Sequence, residues 1–282
     1  MSTSDRRQLA ETFRKLHRAP PILLLPNSWD PMSARIFEAA GFPAAATTSG
    51  GLAWALGYAD GEKAPWHDVV AATRRIAEAV RVPLTADIET GYGETPDAVA
   101  RSVADIIGAG AVGINLEDGT ADPNEPVRSI ENAAARIRAA RAAATAAGVP
   151  IVINARIDLY LKHVGDEASR FTDTVRRAEA YLAAGADCIF VFAVAELDLI
   201  KTLTAAIKAP VNVVGRAGGP GLEALEAAGV ARVSIASGAS MVVMSQIRRI
   251  AEELRQKGEF DILKSSMTRV EAQKLFARGA DR

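Results

Sequence analysis

Short apolar runs of the kind that form buried β-strands recur along the chain roughly every 20 to 40 residues. Alanine-rich stretches typical of helices lie between them, for example at 68–80 and 131–148. Strands that alternate with helices in this way indicate βαβ units and a parallel sheet. The eight predicted strands are ILLLP (22–26), AAATTS (44–49), PLTADIE (83–89), GINLED (113–118), IVINAR (151–156), CIFVF (188–192), VNVVG (211–215) and RVSIAS (232–237).

Five of the predicted helices end in the same pair of residues, Ala-Gly, shortly before the next strand. Glycine at this position forms the left-handed helix cap that turns the chain back into a parallel strand. Eight such strands without a long linker predict an α/β fold, a (β/α)8 TIM-type barrel, which typically takes about 250 residues. A doubly wound sheet is the alternative, but it normally divides into two halves and no such division is visible.

The barrel is expected to occupy about residues 20–257 of a single domain that spans residues 1–282. A helical tail follows at about 258–282, with Leu275 and Phe276 on its apolar face. This additional C-terminal helix would either cap the same barrel or reach onto another subunit.

Composition excludes several classes of partner. The 33 basic and 34 acidic side chains among 282 residues nearly cancel, so nothing suggests binding to nucleic acid or to a membrane surface. No apolar run is long enough to cross a bilayer. A single cysteine, Cys188, excludes an internal disulfide and fits the reducing cytoplasm. We therefore predict a cytoplasmic globular protein.

Acidic side chains follow two neighbouring predicted strands. In TADIETGYG (85–93), Asp87 and Glu89 share one face of the strand, and in GINLED Glu117 points the same way. The next strand presents Arg156. Because the carboxyl ends of barrel strands form one open face, these groups should converge. Closely spaced carboxylates repel unless a cation lies between them, and oxygen ligands suit Mg²⁺. The alternative is ordinary salt bridging or solvation of the acids.

The chain resembles the isocitrate lyase/phosphoenolpyruvate mutase superfamily, and within it the phosphoenolpyruvate mutase-like branch. The resemblance extends from about residue 20 to residue 245 and is carried by five segments, of which ADIETGYG and LEDG are the most specific. The five segments are LPNSWDPMSARIFEAAGF, TTSGGLAWALGYADGE, LTADIETGYG, INLEDG and INARID. The resemblance implies a (β/α)8 barrel that binds Mg²⁺ or Mn²⁺ together with a 2-oxo acid. It also implies a homo-oligomer, typically a tetramer, in which the last helix is exchanged between subunits.

The resemblance also implies roles for individual residues, with Asp60, Arg156 and Glu117 as the catalytic group. Asp87, Glu89 and Glu117 would bind the metal, and Asp60 would lie near metal and substrate. Thr48, Ser49 and Gly50 would bind the substrate carboxylate. Arg156 would bind the oxo-acid or phosphonyl end, and Asn212 would contact the far end of the substrate.

The loop after the fourth predicted strand departs from the pattern of the superfamily. Isocitrate and methylisocitrate lyases carry a catalytic cysteine there, and phosphoenolpyruvate mutases a lysine and an asparagine. The segment EDGTADPNEPVRS lacks cysteine and lysine, and Asn124 is the nearest match to the asparagine. Phe192 replaces a histidine of the superfamily. We predict that Cys188 is a core residue and that His17, His67 and His163 lie on the surface.

These features predict a Mg²⁺-dependent lyase that acts on a C–C bond beside the enolate of a 2-oxo acid such as oxaloacetate or a malate derivative. Three alternatives remain open. The chain could process a C–P bond in a phosphonate, as a mutase or hydrolase. It could be a metal-free barrel that uses VVGRAGGPG and RVSIASG as a phosphate cradle. It could also bind 2-oxo acids without catalysing a reaction.

Overall fold

A computed structural model describes residues 2–277 and shows one sheet of nine parallel strands. The strands are β1 (Leu23–Leu25), β2 (Asn27–Ser28), β3 (Ala45–Thr47), β4 (Leu84–Asp87), β5 (Gly113–Glu117), β6 (Val152–Ile157), β7 (Cys188–Val191), β8 (Val211–Val214) and β9 (Arg232–Ser234). The helices are α1 (Thr3–Leu16), α2 (Pro31–Ala39), α3 (Ser49–Ala55), α4 (Trp66–Ala79), α5 (Pro96–Ala109), α6 (Ile130–Ala146), α7 (Glu167–Ala183), α8 (Leu197–Ala206), α9 (Leu222–Ala227), α10 (Gly238–Lys257) and α11 (Arg269–Phe276), with a 3₁₀ turn at Asp261–Leu263.

The sheet curls into a nearly closed barrel. β1 pairs with β9, while β2 pairs with β3, and only Pro26 separates β1 from β2. Proline has no N–H to donate, so it interrupts the ladder, but its carbonyl still accepts a 3.2 Å hydrogen bond from the Ala46 N–H. β1 and β2 thus act as one stave, and the predicted α/β TIM-type barrel is confirmed.

The predicted Ala-Gly helix ends are left-handed caps. Gly110 ends α5 with φ = 109°, and its N–H donates to the Ile106 and Ile107 carbonyls at the end of that helix. A side chain is strained in this region of backbone space, which explains the choice of glycine. The glycines that close the five repeated junctions all have positive φ: Gly41, Gly110, Gly148, Gly185 and Gly229.

Most predicted strands end earlier than expected, and in two of them the difference affects candidate site residues. β3 stops at Thr47, because Ser49 already begins α3. β4 stops at Asp87, and Glu89 adopts a left-handed conformation with φ = 51°. The expectation that Asp87 and Glu89 share one face of a continuous strand was therefore wrong. A turn, not strand alternation, directs Glu89.

The hydrophobic core fills the space between the strands and the helices around them. The side chains predicted to face the helices are at most 3% exposed and belong to one continuous core: Ala86, Ile88, Ile114 and Leu116. Cys188 is fully buried, as predicted.

Helix α1 covers the amino-terminal end of the barrel. Phe13 inserts so closely that a Cβ on Gly113 would lie 2.6 Å from its ring. His17, at the end of this helix, is buried, although the sequence predicted a surface position. Its Nδ1 lies 2.9 Å from the Phe13 carbonyl, and burial lowers its pKa to about 4. His67 and His163 are exposed, as predicted.

The last two helices behave differently from the rest. α10 has one buried residue, Ser240, and every residue from Met241 to Arg249 is exposed. α11 confirms the predicted C-terminal helix and packs against α2, where Arg35 Nε donates to the Leu275 carbonyl at 2.8 Å. Residues 278–282 of the predicted tail lie outside the described residues. Within residues 2–277, no helix has both the length and the apolar character needed to cross a bilayer.

Candidate active site

A cavity of about 530 Å³ opens at the carboxyl ends of the strands. The turns after β4 and β5 form most of its wall. Its lining residues are Gly61, Glu62, Glu89, Thr90, Glu94, Glu117, Gly119, Thr120, Ala121, Asp122, Glu125, Arg128 and Lys162. Two of the three predicted metal ligands, Glu89 and Glu117, therefore line one pocket. The segments proposed as a phosphate cradle, 213–221 and 232–238, contribute no residue to it.

Asp87 and Glu89 each accept hydrogen bonds from the backbone of another loop. Asp87 Oδ2 accepts from the Ser49 N–H at 3.2 Å. The two carboxylate oxygens of Glu89 share the Glu62 N–H at 3.0 and 2.9 Å, and the Tyr92 hydroxyl donates to Oε1 at 3.1 Å. These contacts aim both acids toward the mouth of the barrel.

Glu62 holds the turn that carries Glu89, a role that the sequence analysis missed although Glu62 ends the quoted segment TTSGGLAWALGYADGE. Its Oε1 accepts from the Thr90 N–H (3.0 Å), the Thr90 hydroxyl (2.7 Å) and the Tyr92 N–H (3.0 Å). Glu62, Glu89 and Tyr92 all have positive φ, which is costly for residues other than glycine. The reciprocal bonds between Glu62 and the turn stabilise this strained backbone.

Arg156 is already engaged by carboxylates. Its Nη1 lies 2.7 Å from Glu117 Oε2, and its Nε and Nη2 donate to the two oxygens of Asp158 at 2.6 and 3.2 Å. The guanidinium also stacks over the Phe192 ring, with its Cζ 3.8 Å from the ring centroid. Asp158 was missed at the sequence level although it stands in the quoted INARID motif. Phe192 is the residue for which the resemblance implies a histidine.

Negative charge is in excess at this mouth. Burial raises the pKa of Glu89 to about 7, and the charge of Asp87 adds to the effect. Burial is also the main cause that raises the pKa of Glu117 well above its ordinary value; Arg156 opposes this shift, and the charges of Asp158, Asp87 and Glu89 add to it. Among residues 2–277, Arg156 supplies the guanidinium in contact with Glu117, and one positive charge does not neutralise all of these acids.

The donor set fits a hard cation by chemistry and charge. Carboxylate oxygens are the ligands that Mg²⁺ prefers, and an added cation would relieve the repulsion among Asp87, Glu89 and Glu117. No three His, Cys, Asp or Glu side chains within residues 2–277 are arranged as a ready-made metal site. In this structure the hydrogen bonds from Glu62 and Arg156 occupy oxygens of Glu89 and Glu117.

The predicted carboxylate-binding loop begins helix α3. The Thr48 hydroxyl lies 2.8 Å from the Ser237 hydroxyl, and the Ser49 N–H points to Asp87. A Cβ on Gly50 would lie 2.9 Å from Ser237 Oγ and 3.1 Å from Asp60 Oδ2, so a larger residue there would displace these side chains. The structure thus brings Asp60 against this loop.

One predicted position lies away from the mouth. Asn212 is fully buried inside the barrel, where its amide pairs with the Ser234 hydroxyl at 3.3 Å, and it does not line the cavity. Asp118, next to Glu117, also stays out of the cavity, because it is buried against Arg177 and the Tyr181 hydroxyl of α7.

The loop after β5 forms a small flap. Gly119 and Val127 pair in antiparallel fashion, and the Thr120 N–H donates to the Pro126 carbonyl at 2.9 Å. Asn124, the nearest match to the mutase asparagine, is exposed and bonds to Asp122 within the flap. Lys162, from the loop after β6, donates to the Thr120 carbonyl at 3.1 Å. The flap segment itself contains no lysine, but Lys162 from the neighbouring loop contacts it.

The family model for phosphoenolpyruvate phosphomutase matches residues 13–255. The chain belongs to the phosphoenolpyruvate phosphomutase family. This membership confirms the predicted isocitrate lyase/phosphoenolpyruvate mutase superfamily, whose members act on C–C or C–P bonds, and with it the prediction of an enzyme.

Three known proteins are similar to this chain in sequence or in fold. A crystal structure of a Burkholderia cenocepacia J2315 protein superposes with a TM-score of 0.83 at 41% identity and covers 88% of this chain and 99% of its own. The 2-methylisocitrate lyase of Escherichia coli (strain K12) is 34% identical over 185 residues, which are 63% of this chain and 60% of that enzyme. A phosphonopyruvate hydrolase in complex with oxalate and Mg²⁺ shares the fold with a TM-score of 0.83 at 24% identity, covering 95% and 94% of the two chains.

Removal of the Glu62 carboxylate should release the turn that this phosphomutase-family protein uses to carry Glu89. In Glu62→Ala, the backbone amides of Thr90 and Tyr92 lose their acceptor, so their hydrogen exchange should accelerate about tenfold or more. Hydrogen exchange followed by mass spectrometry measures this. Glu94→Ala is the control, because Glu94 lines the same cavity without accepting a bond from the turn. Equal exchange in both variants would contradict the assignment.

Proposed function

We propose that this protein is a Mg²⁺-dependent lyase that cleaves, or in reverse forms, a C–C bond next to the enolate of a 2-oxo acid, with oxaloacetate- or malate-like substrates. The observation that carries the proposal is the excess of carboxylates over cations at one barrel mouth. Glu89 and Glu117 line this mouth, and the charge of Asp87 acts on both of them. Among residues 2–277, the guanidinium in contact with Glu117 is that of Arg156, which is already paired.

Asp87, Glu89 and Glu117 would hold the Mg²⁺ or Mn²⁺ ion, directly or through water. The bound ion would supply Lewis-acid stabilisation to the enolate oxygen of the 2-oxo acid. Asp60 would act near the ion and the substrate, since its carboxylate lies against Gly50 at the same rim. The α3 loop (Thr48, Ser49 and Gly50) would bind the substrate carboxylate.

Arg156 would orient the substrate. Its guanidinium can hold a carboxylate with two parallel hydrogen bonds, a geometry that lysine cannot provide. Asp158 and the Phe192 ring fix the plane of the guanidinium, so little conformational freedom is lost when a ligand replaces Glu117 as its partner. Asn212 stays a weaker candidate for the far end of the substrate, because it lies buried inside the barrel.

Cleavage of a C–C bond is favoured over chemistry at phosphorus by what the flap lacks. Breaking a bond beside a stabilised enolate requires few specialised groups, whereas phosphoryl transfer needs groups that guide the moving phosphoryl. The segment 119–128 contains neither the lysine nor the cysteine of the two better-known branches. The similarity to a 2-methylisocitrate lyase supports the same choice.

Phosphonate cleavage is the second candidate function. It is favoured by the shared fold with a phosphonopyruvate hydrolase and by Lys162, whose amino group reaches the flap where mutases carry a lysine. Binding of 2-oxo acids without turnover is the third possibility, and the same experiment addresses it.

Turnover of oxaloacetate and malate derivatives should be detected by proton NMR with Mg²⁺ present and abolished by EDTA. Asp87→Asn should lower the rate by about a hundredfold or more, because it removes charge from the proposed metal site. Asp198→Asn is the matched control, since Asp198 is an exposed acid in the first turn of α8. Phosphorus NMR with phosphonopyruvate runs in parallel. Turnover of the phosphonate alone would favour the second function, and Mg²⁺-dependent binding without turnover the third. Activity that survives both EDTA and Asp87→Asn would contradict the proposal that the reaction depends on a metal ion.

We also propose that the protein is a homo-oligomer, by resemblance a tetramer. The predicted exchanged element was the C-terminal tail, but its helix α11 packs on α2 of its own chain, so we propose instead that α10 packs on a second copy. Apolar side chains on this helix are strongly exposed, with Val242 at 62%, Ile247 at 60% and Met241 at 54%. A continuous apolar face of this kind marks an interaction surface. Met32 on α2 and Leu222 on α9 are also exposed, on helices next to the stave that α10 leaves. We therefore expect the apolar side chains of α10 to pack on the exposed apolar side chains of α2 and α9 in a second copy of the chain.

A charge at the centre of this face should break the assembly. Ile247→Asp should lower the mass measured by sedimentation velocity to that of a smaller species, because burial of an unpaired carboxylate at an interface is costly. Lys201→Asp, an exposed position on α8, serves as the control. A wild-type chain that sediments as a monomer, or an Ile247→Asp variant that keeps the wild-type mass, would refute the proposed exchange.

A further inference from the structure

The barrel interior beneath the mouth is polar. Barrels of this type usually fill this space with branched aliphatic side chains. Here a set of buried polar side chains from five strands occupies it: Thr85, Asn115, Asn154, Asn212, Arg232 and Ser234. The charged member, Arg232, is fully buried.

Arg232 has no carboxylate in contact with it within residues 2–277. Its Nη2 donates to Asn115 Oδ1 at 3.3 Å, and its Nη1 lies 3.4 Å from His17 Nε2. The Phe13 ring centroid is 5.9 Å from its Cζ. Burial lowers the pKa of Arg232 to about 10, which still leaves the guanidinium charged near neutral pH. By contrast, buried Arg177 contacts Asp118.

This arrangement is costly for stability. A buried charge without an opposite charge loses hydration that neutral partners only partly replace. Three atoms of the same region also lack a hydrogen-bond partner, namely Arg232 Nε, Asn154 Oδ1 and Thr85 Oγ1. Features that cost stability and break the usual filling of a fold are expected at functional sites.

A short series of contacts links Arg232 to the strand end that carries Asp87. Asn115, which accepts from Arg232, also accepts from Asn154 Nδ2 at 2.8 Å. Asn115 is the direct neighbour of Asp87 in the pairing of β4 with β5. One neutral side chain therefore separates the buried guanidinium from the strand end that carries Asp87.

We propose that Arg232 is an electrostatic positioning residue, whose fixed buried charge favours anionic ligands and the enolate at the mouth and disfavours the metal ion bound alone. This inference rests on the proposed function. A positive charge in a poorly solvated interior acts over several ångströms, because little water screens it. The metal ion would then bind more weakly once the anionic ligand has left, although Arg232 contacts neither the ion nor the ligand.

The test compares Arg232→Met with Arg232→Lys, using Mg²⁺ alone and then oxalate in saturating Mg²⁺ as calorimetric probes. Arg232→Met should bind Mg²⁺ more tightly and oxalate more weakly, each by about tenfold, the size that a unit charge produces on another about 12 Å away at an effective dielectric constant of about 20. Arg232→Lys should stay within about twofold of wild type. Thermal unfolding should show Arg232→Met no less stable than wild type, because an unpaired buried charge is removed.

Arg141→Met is the matched control, because Arg141 lies at the amino-terminal end of the barrel on Asp187 and the Gly185 carbonyl. A structural role for Arg232 would change both affinities in the same direction or change neither, and either result would overturn the inference. If Arg232→Met does not fold, Arg232→Gln against Arg232→Lys gives the same comparison. Wild-type protein that binds neither probe would refute the proposed function together with this inference, whereas normal wild-type binding with unchanged Arg232→Met refutes the inference alone.

Discussion

Repulsion among carboxylates at the mouth of the barrel is the constraint on which the site depends. Parallel strands end at one rim, so acids that follow β4 and β5 lie close together although a helix separates them in the sequence. Burial then removes the water that would screen them, and the pKa values of Glu89 and Glu117 rise. A divalent cation relieves this cost, and its charge is then available to an enolate.

The rest of the site keeps these acids in place before any ligand arrives. Glu62 binds the turn that carries Glu89, and Asp158 with Phe192 fixes Arg156 beside Glu117. Such partners are as important as the groups they hold, because a site that is loose by an ångström loses much of its catalytic advantage. Strained backbone at the rim is tolerated because these contacts over-determine it.

Sequence periodicity was sufficient for the barrel, because each strand is apolar and each Ala-Gly junction requires a left-handed cap. It was also sufficient to bring Glu89 and Glu117 to one mouth, since strand ends in a barrel have a known position. It was insufficient where the conformation of a loop sets the direction of a side chain. Glu89 is directed by a left-handed turn, and Glu62 contacts it from another loop. Burial of His17 depends on how α1 seats against the barrel, which helical spacing does not reveal.

A crystal structure of the protein grown with Mg²⁺ and oxalate tests the central claim most directly. The account predicts a cation among the oxygens of Asp87, Glu89 and Glu117, directly or through ordered water, with oxalate chelating that cation and Arg156 turned toward the ligand. An absent cation at millimolar Mg²⁺, with Glu117 still held by Arg156 and oxalate bound elsewhere or not at all, would contradict it.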